Sequence, residues 1–210
     1  MKTVNTLIIG ILALTIMSCN DSAKKEKTNQ AEEKTENTQS VSTTYNINTK
    51  NSVVGWKGSM IGVYAHEGNL NFNNGSFVVS NNKVANGTFT VDMKSMITTD
   101  DDALYKMAPR EKLIGHLQAP DFFDVENHPS ATFKITNTEG TTVIGDLTVK
   151  GKTNSEKLTN VTIAETENGI QLSGTLTFDR QKYGITYKNT MNDMVLSDDI
   201  ELNISVLGSK

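Results

Sequence analysis

The residue types able to do chemistry in this chain are three histidines, His66, His116 and His128, one cysteine, Cys19, and the run Asp100-Asp101-Asp102. Histidines and carboxylates can act as general acids and bases or hold a metal, but both uses need the groups coupled at short range. Here the histidines are widely separated, and the chain has no HExxH, no nucleophile elbow and no phosphate-cradling loop. The aspartate run suggests calcium, yet the spaced oxygen ligands and glycine of a calcium loop are missing. Acidic residues opening a short helix explain the run more simply, since they satisfy and complement its free amides. Neither an enzyme nor a required metal or cofactor is therefore expected. The formal charge of −4, without a basic arm, also argues against a nucleic-acid partner.

Cys19 points instead to export. Lys2 precedes an apolar run from Leu7 to Met17, the length of a signal-peptide core and too short to span a bilayer comfortably. Ile16-Met17-Ser18-Cys19 resembles the end of a bacterial lipoprotein signal, with an apolar residue three before the cysteine and a small one just before it. That resemblance implies removal of residues 1–18, lipidation of Cys19, and a lipid-anchored protein of the bacterial cell envelope, periplasmic or surface-exposed. The plainer alternative is an exported protein whose cysteine is incidental. Residues 19–44 are nearly free of apolar side chains, with four Lys against five acidic residues from Asn20 to Thr44. Such a segment cannot bury enough surface to offset the entropy of ordering, so a disordered tether is expected.

The folded domain is expected from Tyr45 to about residue 207, and its pattern is β. Phe89, Val91 and Met93 alternate with polar residues, as do Ala131, Phe133 and Ile135, then Val143, Gly145, Leu147 and Val149. The clearest strand runs from Ile170 to Phe178, where every even position is apolar or Gly; Ile200, Leu202, Ile204 and Val206 close the series. Trp56 reads as a core plug. His66, in the stretch 63–71, could serve ligand binding but reads more readily as a solvent-facing histidine near a loop, and Asn73-Asn74-Gly75 reads as a turn or bulge. One helical interruption is expected after Pro109, with Leu113, Ile114 and Leu117 on one side and His116 beside them. Pro120 stops it, and the adjacent Phe122 and Phe123, if extended, would point opposite ways. About eight short strands without crossover helices predict an all-β, antiparallel barrel with a short helical insertion. A barrel of that size holds packed side chains or one slender ligand.

Taken in order, several stretches resemble the YceI-like family of lipocalin-like, polyisoprenoid-binding barrels. They are Tyr45-Asn46-Ile47 followed by Ser52-Val53; Arg110 with Gly115-His116-Leu117 and Asp121-Phe122-Phe123-Asp124; and His128-Pro129 before Ala131-Thr132-Phe133. Gly145-Asp146-Leu147-Thr148-Val149 with Gly151 follows, then Asp179-Arg180 and Tyr183-Gly184-Ile185. The chain departs from the family where Asn51 precedes Ser52, at Arg110-Glu111, at Gln181-Lys182-Tyr183, and over residues 56–68.

The resemblance implies non-enzymatic binding or carriage of a polyisoprenoid or similar long-chain lipid, an isoprenoid quinone included. It places Phe89, Val91, Met93, Leu117, Phe122, Phe123, Leu172, Leu176 and Phe178 along an apolar channel. Arg110 and His116 match the family's polar positions, there to meet a lipid head group or to anchor the helical lid. A solid-cored interaction module is the competing expectation. The sequence names no protein partner and no oligomeric state.

Overall fold

Alternating side chains build nine strands: β1 (Ser42–Ile47), β2 (Val53–Met60), β3 (Tyr64–Ser80), β4 (Lys83–Thr98), β5 (Ser130–Glu139), β6 (Thr142–Val149), β7 (Lys152–Thr166), β8 (Gly169–Asp179) and β9 (Leu196–Ser209). The computed structural model describes residues 41–106, 108–188 and 195–210; the expected signal segment, Cys19 and the tether up to residue 40 lie outside them. All pairings are antiparallel. The order β1-β3-β2-β9-β8-β7-β6-β5-β4 is closed by the β3–β4 hairpin, making a barrel.

Nine strands give only eight staves, because β1 and β2 share one position. β2 pairs with the start of β3, from Met60↔Tyr64 to Val53↔Asn71, while β1 pairs with its end, from Asn46↔Ser76 to Ser42↔Ser80. Both also border β9. At the break the buried Ser52 hydroxyl accepts from the Leu207 amide at 3.0 Å, satisfying a backbone donor that β1 and β2 leave free.

The all-β antiparallel barrel follows the alternation, but its strands are longer than the sequence suggests. Tyr64–Ser80 is a single strand of 17 residues, in which the Asn73-Asn74-Gly75 cluster only shifts the register against β4. A bulge of this kind bends a strand without ending it. Strand β1 also begins at Ser42, ahead of Tyr45. Turns fall where the small polar residues place them: Asn81 and Asn82 both adopt positive φ, 50° and 57°, matching the twist of a two-residue hairpin.

The two ends of the barrel differ. Below, fully buried Phe77, Val84, Val143 and Val206 fill the interior, and Phe77 stacks on Tyr45 at 5.5 Å. Above lie the β2–β3 turn, the long β4–β5 connection and the β8–β9 connection. The second of these carries a 3₁₀ turn (Asp102–Tyr105) and the helix α1 (Arg110–Gln118). Asp101 caps the 3₁₀ turn by accepting from the Ala103 amide at 2.7 Å, as expected for an acidic helix start.

After α1 the chain does not extend. The Phe123 amide donates to Leu117 O, the Asp124 amide donates to Ala119 O, and Asp124 takes φ 51°. This tight turn overrides the expected opposite orientation of Phe122 and Phe123, whose rings pack edge to face at 5.0 Å.

Candidate ligand-binding cavity

The inward rows leave an apolar cavity of about 270 Å³ between the plugged lower end and α1. Phe89, Val91 and Met93 of β4 line it, as do Leu172, Leu176 and Phe178 of β8. From α1, Leu113, His116 and Leu117 reach it together, as positions i, i+3 and i+4 of one helical face must. Phe122 and Phe123 both contribute, because the turn sends the two rings to the same side. All nine residues assigned to the channel from sequence thus surround one space.

Arg110 does not. It lies outside the cavity, over the Tyr105 ring at 4.1 Å, donating to Asp102 Oδ1 at 2.6 Å, Asp100 Oδ1 at 3.0 Å and Thr98 Oγ1 at 2.8 Å. These bonds tie the first turn of α1 to the end of β4 and the 3₁₀ turn. The Asp102 carboxylate is the main reason the guanidinium pKa is raised. His116 does reach the cavity, edge-on to Tyr187 at 4.6 Å and to Phe122 at 5.6 Å.

The residue that sequence reading misplaced is His66. It is on β3, its side chain 20% exposed, and it lines the upper cavity rather than facing solvent. Its parity was the available signal: 66, 68, 70 and 72 share one face, and Leu70 and Phe72 are buried. His66 Nδ1 lies 2.7 Å from Asp100 Oδ2, and the Asp100 side chain is only 5% exposed. Burial pushes the Asp100 pKa up, but hydrogen bonds from the Tyr105 hydroxyl, His66 and the Glu67 amide outweigh it and hold the carboxyl below its ordinary value. Tyr105 donates to Asp100 Oδ1 at 2.6 Å; its own pKa is raised by burial and then by that carboxylate. Asp100, read as one of three helix-capping acids, is thus the buried centre of a polar network.

Two other residues shape the upper cavity. Trp56 lines it, and its buried Nε1 has no hydrogen-bond partner among the described residues. The indole lies over Gly68, where a Cβ would come within 2.7 Å of ring carbon Cζ2, so only glycine fits beneath it. Arg180, 2% exposed, donates to the carbonyls of Ser197 (2.9 Å), Ile185 (2.6 Å) and Tyr187 (2.9 Å) and to Asp198 Oδ1 (2.8 Å). It fixes the connection that sets Tyr187 at the cavity. Nothing in its sequence neighbourhood signals this, because three of the four acceptors are main-chain oxygens.

The model of the YceI-like domain matches residues 45–207. The chain belongs to the YceI-like family. A UPF0312 protein of Staphylococcus aureus is 31% identical over 98 residues, 43% of this chain and 57% of its own length. A UPF0312 protein of Staphylococcus epidermidis is 34% identical over 82 residues, 36% and 48% of the two chains. The chain thus spans about half the length of the curated relatives it matches. Among solved structures, BcnA of Burkholderia cenocepacia superposes with a TM-score of 0.62 at 20% identity, over 78% of this chain and 99% of that one. A polyisoprenoid binding domain of Saccharophagus degradans does so with a TM-score of 0.52 at 13% identity, over 79% and 97%. These likenesses show the YceI-like barrel fold.

Proposed function

We propose that this YceI-like protein binds or carries a polyisoprenoid or similar long-chain lipid, an isoprenoid quinone included, without chemically altering it. The apolar cavity carries this reading. The cavity, about 270 Å³ and lined almost wholly by apolar side chains, has the size and surface for one slender apolar occupant. The bound chain would gain about 25 cal/mol for each Å² of apolar surface removed from water. The polyisoprenoid-binding domain of Saccharophagus degradans, similar in fold, supports the same class of ligand. The lipoprotein-like signal ending in Cys19 supports a lipid-anchored place in the bacterial envelope.

Native mass spectrometry of the protein gently extracted from membranes tests this: a co-purifying prenyl lipid is expected, and mass analysis of Cys19 reports the anchor. Recovery of empty protein that takes up no added prenyl lipid would overturn the reading and favour an interaction module.

A further inference from the structure

We infer that Nε2 of His66 is the polar contact that selects the lipid, accepting a hydrogen bond from a hydroxyl near the end of an uncharged chain. This rests on the lipid-binding reading above and adds the chemistry of the ligand's polar end. An ionised carboxylate can only accept, so the 2.7 Å contact from Asp100 Oδ2 to His66 Nδ1 requires the proton on Nδ1. In the neutral ring Nε2 then carries a lone pair, and it has no hydrogen bond to protein among the described residues. The ring packs edge to face against Tyr64 at 5.1 Å and at a tilt against Tyr105 at 5.4 Å. Asp100 is itself over-determined by Tyr105, Arg110 and the Glu67 amide, so the imidazole can neither turn nor readily exchange its tautomer.

A fixed acceptor beside an apolar cavity favours a donor. It also disfavours an anionic head, since the Asp100 carboxylate lies 2.7 Å from Nδ1 of the same ring and Arg110 is already paired with Asp100 and Asp102. Arg110 acts here at one remove. It keeps Asp100 in place, and Asp100 sets the histidine tautomer.

The probes are farnesol and farnesyl methyl ether, which share a chain and differ in the hydroxyl proton. Their affinities for the full chain are measured by quenching of Trp56, the single tryptophan, which lines the same cavity. The alcohol is expected to bind about fivefold more tightly, the worth of one hydrogen bond. The ratio should fall to about one in His66→Phe, which keeps the ring and removes the acceptor.

Asp100→Asn provides a second route. The Tyr105 hydroxyl and Arg110 both donate to Oδ1 and keep the amide oxygen there, so the amide nitrogen replaces Oδ2, gives up the 3.3 Å Glu67 contact and faces Nδ1 as a donor, moving the proton to Nε2. The alcohol-to-ether ratio should again collapse, and the ¹⁵N spectrum of the His66 ring should change tautomer. An unaltered ratio in either folded variant, or equal binding of both probes by the parent, overturns the assignment while leaving lipid binding intact. Failure of the parent to bind either probe overturns the lipid reading itself.

Discussion

Gly58→Leu separates a ligand cavity from an unfinished core. Gly58 faces inward between Trp56 and Met60, and a Cβ placed there would meet only Ile200 Cδ1, at 3.7 Å. Its φ is not in the left-handed region, so β2 accepts a branched side chain at this position. A leucine would grow into the cavity, gaining about 2 kcal/mol from burial, with some tenths more from relieving a glycine in a strand. For a domain of this size that raises Tm by about 4–8 °C. The same four carbons occupy space the lipid chain needs. Displacing four methylenes at ~0.8 kcal/mol each costs the ligand about 3 kcal/mol, or roughly 200-fold in affinity. Thermal unfolding and prenyl-lipid titration on the same sample should therefore move in opposite directions. Lower stability with lipid affinity unchanged would show that residue 58 borders packed atoms, and the cavity argument would fail.

Replacing Arg180 by Met should cost about 3 kcal/mol in urea unfolding, because the buried Ile185 carbonyl and the half-buried Tyr187 carbonyl lose their donor; a loss below about 1 kcal/mol would mean the β8–β9 connection is held by other contacts. Gly68→Ala should destabilise the barrel by about 2 kcal/mol and shift Trp56 emission, since the new methyl meets the indole and the Ile97 carbonyl oxygen; an unchanged spectrum would contradict the packing. Asp100→Asn should lower stability most near neutrality. The folded carboxyl titrates below its unfolded value of 3.8, so its contribution is complete above that pH and is lost as pH falls through the lower folded value. Parent and variant should then converge in acid, and a constant gap in acid denaturation curves would show that the carboxylate's charge is not what stabilises the network.

The barrel and the channel rows were legible because alternation is a local property. A strand with one dry face must place every second residue inward, so Phe89, Val91, Met93 and the Leu172–Phe178 row could be assigned without knowing their partners. Strand lengths were less legible. A bulge and a turn use the same small polar residues, and only pairing with β4 shows that Asn73-Asn74-Gly75 leaves β3 unbroken.

The polar end of the site was decided by tertiary structure alone. His66 and Asp100 are 34 positions apart, and the pairing of β3 with β4, Gly68↔Thr98 and Asn69↔Ile97, brings them together. Arg110 and His116, about one and two-thirds helical turns apart in α1, part company because the helix turns one face to the cavity and the other toward β4. Side-chain periodicity is fixed within a segment and can be read there. Hydrogen bonds between segments depend on register and closure, which exist only once the barrel has formed.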